Sequence, residues 1–231
     1  EQNVTPGRAN QVLSFLARKI AISFPDSAIG LPKRKVVYSG YPLRECFLQP
    51  AVSVTAGKSR LFQLLVFGGS QGASRINHVF FDAIQSMSSE EKKKFAVIHI
   101  VGLNQIGEFE RLYRQTEIHS EVCGFSDQIS KYLETSDFVI SRAGAGSIFE
   151  IAAMGKAALF IPYPHAYGHQ QFNARCLVSR NAAMAIEEEH LTSDFMRQVI
   201  MKVYEDQTLI QNMEMNIRKI SRKDASEKLV E

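Results

Sequence analysis

Cysteine is scarce in this 231-residue sequence: Cys46, Cys123 and Cys176 lie far apart. They form no Cys-x-x-Cys pair and no His/Cys cluster, so neither a zinc site nor a disulfide framework is indicated. A reducing, cytosolic compartment fits that usage. Long apolar runs are missing too; none reaches the roughly 18–20 residues that a membrane span requires. No signal-peptide pattern opens the chain. Charge of one sign is not in excess: the net charge of +3 is too small to argue for nucleic acid as a partner. Several catalytic signatures are also lacking. There is no Gly-x-Ser-x-Gly elbow, no catalytic-cysteine context, no evident pair of glycosidase-type carboxylates and no Gly-Lys-Ser/Thr of a Walker A loop.

What is present is an ordinary globular mixture, 45% hydrophobic and 22% charged, long enough for one large domain or one domain plus part of another. The first residue is Glu1, and helix-like sequence begins almost at once, which predicts a chain without its true N-terminus. Thr5-Pro6-Gly7 reads as a turn. A helical pattern follows, with Val12, Leu13, Leu16, Ala17 and Ile20 on one face. Short strands are expected at residues 21–24 and 36–38, and Lys33-Arg34-Lys35 as a solvated basic loop. From about residue 47 to 59 periodicity is lost among Pro50, Gly57 and small residues, as in an interdomain linker.

Beyond that point strand, loop and helix repeat. Apolar runs at 64–67, 95–101, 138–141 and 157–161 read as strands covered on both faces. Short strands are expected at 122–123 and 183–186. Helical patterns are expected at 74–87, 104–119, 125–133, 147–155, 169–179, 192–204 and 208–221, with Gly155 closing its helix and Thr192 or Ser193 as N-cap. Strictly alternating elements predict an α/β fold, a parallel sheet with helices on both faces. Ligands of such sheets bind at the carboxyl ends of the strands.

The loops at those ends carry the chemistry. Ser141-Arg142-Ala143-Gly144-Ala145-Gly146-Ser147-Ile148-Phe149-Glu150 joins a strand to a helix, a turn that aims backbone N–H groups at a phosphate or diphosphate. Ser147 and Glu150 have the spacing of a capping box, which needs no ligand; in a competing reading Glu150 accepts hydrogen bonds from ribose hydroxyls. Gly68-Gly69-Ser70-Gln71-Gly72-Ala73 sits where a second phosphate turn belongs, or is a tight turn only; it lacks the dinucleotide spacing. Arg44 offers a charged hydrogen bond or a surface charge. Gln170, Gln171 and Asn173, near a helix start, suit sugar hydroxyls because amides both donate and accept. His165 and His169 are four apart, but no carboxylate or cysteine neighbours complete a metal site. His169 is a weak base candidate.

Together these segments resemble the MurG family, bacterial transferases of glycosyltransferase family 28 that add N-acetylglucosamine to lipid I in peptidoglycan synthesis. The matching segments are Glu1-Gln2-Asn3, Gly40-Tyr41-Pro42-Leu43-Arg44, residues 68–73, residues 141–150, Ala158-Leu159-Phe160-Ile161-Pro162 and residues 169–174. The resemblance implies the C-terminal, Rossmann-like half of a GT-B fold at residues 61–231, an interdomain linker at 45–60, and the end of the N-terminal domain at 1–44. It implies a site for UDP-N-acetylglucosamine: Ser70 at the diphosphate, Ala145, Gly146 and Ser147 against it, Glu150 on the ribose, and the Ser126 backbone at the uracil. Gln170 and Gln171 would hold the sugar, with Asn3 and Arg44 reaching in from the cleft side.

Further implications are metal-independent donor binding without a cofactor, a lipid I acceptor, and peripheral attachment to the cytoplasmic face of the plasma membrane. The family's glycine-rich acceptor loop, where the base is suspected, lies before Glu1, so no residue here is expected as the base. Gly146 departs from the family pattern, standing where many relatives carry a larger residue. Two other readings fit the same motifs: a donor-binding subunit that needs a partner chain, and a UDP-sugar epimerase of similar fold.

Overall fold

A computed structural model describes residues 1–48, 60–68, 73–165 and 167–230. Its strands are β1 (Ile20–Ile22), β2 (Val36–Tyr38), β3 (Phe62–Phe67), β4 (Phe95–Ile100), β5 (His119–Cys123), β6 (Phe138–Ser141), β7 (Ala158–Phe160) and β8 (Met184–Ala185). Its helices are α1 (Arg8–Leu13), α2 (Ser74–Gln85), α3 (Ser89–Lys92), α4 (Ile106–Tyr113), α5 (Ile129–Thr135), α6 (Ala145–Met154), α7 (His169–Val178), α8 (Ser193–Glu205), α9 (Gln207–Arg218) and α10 (Ala225–Val230).

Six strands form one parallel sheet in the order β5-β4-β3-β6-β7-β8. Counted from β3, this is the doubly wound order 3-2-1-4-5-6, so the expected Rossmann-like sheet is present. Its central strand shows why. In β3, Leu64 and Val66 face one core, with α2, α4 and α8, while Leu65 and Phe67 face the other, with α5, α6 and α7. Side chains alternate across a strand, so a strand covered on both faces must be apolar at every position. Order reverses between β3 and β6, the position at which ligands of such sheets bind.

Several boundaries differ from the sequence expectation. The apolar stretch at 8–20 yields only the six-residue α1, with no buried residue. Val12, Leu13 and Leu16 are exposed; the pattern marks a face that meets no partner among the described residues. Residues 104–119 give a helix only at 106–113, and β5 takes up 119–123 as an edge strand. Part of the expected linker is packed: residues 45–47 make a 3₁₀ turn that buries Phe47 completely. Residues 49–59 lie outside the described residues.

β1 and β2 pair in parallel as a separate two-stranded sheet. The end of the chain returns to them. Gly40 (φ +83°) lies so close to that returning segment that a Cβ on it would stand 2.9 Å from Arg222 Cβ and 3.3 Å from Ala225 Cβ. Arg222 also lies over the Tyr38 ring at 5.1 Å. These contacts fix the segment that carries Tyr41 and Arg44.

Candidate nucleotide-sugar site

Outside the carboxyl ends of β3 and β4 lies a cleft of about 730 Å³. Phe67, Ile100 and Val101 form its floor, Leu103, Phe125 and Ile129 its apolar wall, and Ser147, Glu150 and Arg44 its polar side. Leu103 and Phe125 are largely exposed there, which suits an apolar ring in the space between them. Gly124 lets the two loops meet: a Cβ on it would stand 3.1 Å from Leu103 Cα.

Ser147 brings the first turn of α6 to this polar side. Gly144 is the helix N-cap, with no side-chain cap, and the first intrahelical bond runs from Ile148 N–H to Gly144 O at 3.0 Å. The N–H groups of Ala145, Gly146 and Ser147 therefore precede the helical ladder and carry its positive end. The capping box at Ser147 and Glu150 does not form. Ser147 is already inside the helix, one turn too late to cap it, and Glu150 bonds elsewhere. A capping box does form at Ser88 and Glu91, starting α3.

The Glu150 carboxylate accepts from Arg44 Nη2 at 3.1 Å. Burial raises its pKa above the usual carboxylate value, and the Arg44 charge only partly opposes this. Arg44 also lies 5.0 Å over the Phe47 ring. Beside them Tyr41 stacks on Phe149, ring centroids 5.0 Å apart and 8° from parallel. Its hydroxyl approaches Gly146, where a Cβ would stand 3.3 Å from Tyr41 Oη. The smaller residue at 146 is thus matched by an aromatic ring from another part of the chain.

The loop before α6 is anchored from below. Arg142, 8% exposed, donates to the Ile161 and Pro162 carbonyls at 3.3 Å each and pairs with Glu188. Asn173 is fully buried. It donates to Asn3 Oδ1 (3.1 Å) and Ala143 O (3.2 Å) and accepts from Val4 N–H (2.9 Å). That tie leaves Asn173 no free group for a sugar, against the expectation from its place near a helix start. Asn3 is thereby drawn to the same loop.

Of the expected residues, Arg44, Ser126, Ser147 and Glu150 line the cleft, while Asn3, Ala145, Gly146, Gln170 and Gln171 are not among its lining residues. Ser126 Oγ accepts from Gln128 N–H at 3.0 Å. Gln170 Oε1 accepts from Tyr163 N–H at 2.9 Å. Gln171 Oε1 is buried and has no partner among the described residues. Ser70 lies outside the described residues. His169 donates from Nδ1 to Thr5 O at 3.1 Å. Among the described residues no group of His, Cys, Asp and Glu is arranged to hold a metal ion.

The opposite wall contains residues that sequence reasoning missed. Ser74 and Gln105 line the cleft. Gln105 Nε2 donates to Ser74 Oγ (3.1 Å), while its Oε1 accepts from Asn77 Nδ2 (2.9 Å). Asn77 Nδ2 also donates to Val101 O, so its Oδ1 faces His99 Nε2 at 3.1 Å, and that nitrogen must carry the proton. His99 Nδ1 then accepts from Tyr113 Oη at 3.0 Å. Burial, aided by the charge of His78, lowers the His99 pKa to about 3. No local motif signals this network; its members come from α2, β4, α4 and Gln105, the N-cap residue of α4.

The glycosyltransferase family 28 C-terminal domain matches residues 63–229. The chain is 35% identical over 233 residues to the UDP-N-acetylglucosamine–N-acetylmuramyl-(pentapeptide) pyrophosphoryl-undecaprenol N-acetylglucosamine transferase of Geotalea daltonii, covering all of this chain and 63% of that protein. The crystal structure of Acinetobacter baumannii MurG superposes with a TM-score of 0.82 at 25% identity, over all of this chain and 64% of that one. The UDP-GlcNAc 2-epimerase from Neisseria meningitidis, bound to UDP-GlcNAc, superposes at 0.67 with 13% identity, a likeness of fold. The chain thus spans a little under two thirds of the length of the transferases it matches. No described helix is long and apolar enough to cross a membrane. With a family model matched over most of its length and transferase relatives along all of it, the chain belongs to glycosyltransferase family 28.

Proposed function

We propose that this chain is the donor-binding part of an inverting N-acetylglucosaminyltransferase, taking UDP-N-acetylglucosamine as donor and lipid I as acceptor. The observation that carries this reading is the meeting of three features in one cleft at the sheet's switch point. They are the first turn of α6, whose N–H groups have no helical acceptor and whose Ser147 lines the cleft, the Glu150 carboxylate one turn further on, and the apolar wall of Leu103 and Phe125. A diphosphate, a ribose and a base need these three kinds of surface in that order.

In this reading Ala145, Gly146 and Ser147 face the diphosphate together with Ser70. Glu150 accepts from the ribose hydroxyls, and Ser126 meets the uracil through its backbone. Gln170 and Gln171 hold the sugar; the unpartnered Gln171 Oε1 is the kind of acceptor a sugar hydroxyl or amide satisfies. Asn3 and Arg44 close the site from residues 1–44, which belong to the acceptor-side domain, with 45–60 as linker and 61–231 as donor domain. The acceptor hydroxyl attacks the anomeric carbon while UDP leaves, and negative charge grows on the diphosphate. Fixed N–H dipoles stabilise that charge without a metal. The enzyme works peripherally at the cytoplasmic face of the plasma membrane, where lipid I is presented.

Calorimetric titration with UDP tests the reading. Binding is expected to persist in excess chelator and to weaken at least tenfold in Glu150→Ala, with the thermal midpoint little changed. Loss of binding on chelation, or an unchanged affinity in that variant, refutes it.

A further inference from the structure

We infer that Tyr41 is a donor-site residue, its phenolic hydroxyl donating a hydrogen bond to the diphosphate held at the first turn of α6. The inference rests on the nucleotide reading of the cleft. Three observations carry it. First, the ring is positioned by packing rather than by its hydroxyl: it stacks on Phe149 at 5.0 Å and 8°, and Phe149 is itself fully buried. Second, Oη stands beside Gly146, near enough that a Cβ there would lie 3.3 Å away, and so beside the N–H groups that have no helical acceptor. Third, Oη makes no hydrogen bond among the described residues, although the ring is half-buried. Tyrosine with a buried body usually finds a partner for its hydroxyl.

The chemistry agrees with the geometry. Burial first, and then the charge of Glu150, raise the Tyr41 pKa. The hydroxyl is therefore a donor at neutral pH, as an anionic ligand requires. Glycine at 146 is what admits it. A Cβ there would push the hydroxyl aside by a few tenths of an ångström, so the small residue and the large one act as a pair.

Tyr41→Phe keeps the stacked ring and removes only the hydroxyl. The test is titration of wild type, Tyr41→Phe, Gly146→Ala and the double variant with UDP and with uridine, beside their thermal midpoints. A hydrogen bond to a charged group predicts about a tenfold or larger loss of UDP affinity in Tyr41→Phe, with uridine affinity and thermal midpoint unchanged. Gly146→Ala is expected to weaken UDP in the wild-type background and to add little in the Tyr41→Phe background, since both changes remove one interaction. Equal UDP affinity in wild type and Tyr41→Phe overturns the inference alone. So does a loss of the same size for uridine, which reports a moved ring. If wild-type protein binds neither ligand, the nucleotide reading itself falls, and the inference with it.

Discussion

Arg44 and Glu150 meet at 3.1 Å although 106 residues separate them in the chain. One stands on the segment after β2, the other on the second turn of α6, and both line the cleft. Their pairing marks where the first part of the chain reaches the cleft at the carboxyl edge of the sheet. Arg44 is half exposed, so the pair itself adds little to stability.

Glu150 carries a measurable pH signature. Its folded pKa lies above the reference 4.5, chiefly from burial. A carboxyl raised on folding contributes most below the unfolded value, and the contribution is lost as pH rises through the folded one. Thermal midpoints of wild type and Glu150→Gln, followed from pH 4 to 7, should show wild type losing ground to the variant as pH rises. A constant difference between the two curves contradicts this.

His99 has the opposite sign. Its pKa falls from 6.5 to about 3 on folding, so stability is full above pH 6.5 and is lost as pH drops through the interval below it. The imidazole should remain neutral by NMR down to about pH 4 while the protein is folded. Tyr113→Phe leaves His99 Nδ1 buried without its partner and should cost about 1–3 kcal/mol in denaturant unfolding.

Glu188 neutralises the Arg142 guanidinium where both are nearly out of solvent. Removing one partner of such a pair strands the other, at a cost of about 3–5 kcal/mol. Glu188→Ala should therefore destabilise the chain by that order in urea. It should also weaken UDP binding, because Arg142 supports the loop that leads into α6. A loss below about 1 kcal/mol places the guanidinium in water.

The two serine–glutamate spacings separate cleanly in a stability assay. Ser88 Oγ accepts from Glu91 N–H, and the Glu91 carboxylate accepts from Ser88 N–H at 2.8 Å. Ser88→Ala should lose about 1 kcal/mol. Ser147 lies inside α6, so Ser147→Ala should be neutral or slightly stabilising, by up to about 0.5 kcal/mol.

That contrast shows where sequence reading reaches its limit. Ser147-x-x-Glu150 and Ser88-x-x-Glu91 are the same local pattern, yet only the second caps a helix. At 147 the helix has already begun, because Gly144 takes the cap position and the buried Ala145 starts the turn. The central strands were legible because apolar runs such as Leu64-Leu65-Val66-Phe67 have one cheap environment. The edge strand β5 was harder: His119-Ser120-Glu121 carries no apolar signal, and its pairing with β4 comes from the sheet. Asn173 looked free beside a helix start, and only the arrival of Asn3 and Ala143 engaged it.

By itself the sequence determined the alternation of strand and helix, the doubly covered sheet, and the glycine-bearing turns at its carboxyl edge. These follow from hydrophobic period and backbone freedom, which are properties of neighbouring residues. Only the tertiary structure decided that Arg44 pairs with Glu150, that Tyr41 fills the space Gly146 leaves, and that His99 stays neutral beneath the cleft wall. Each of those depends on residues far apart in the chain, and a contact between them exists only once the sheet has brought their elements together.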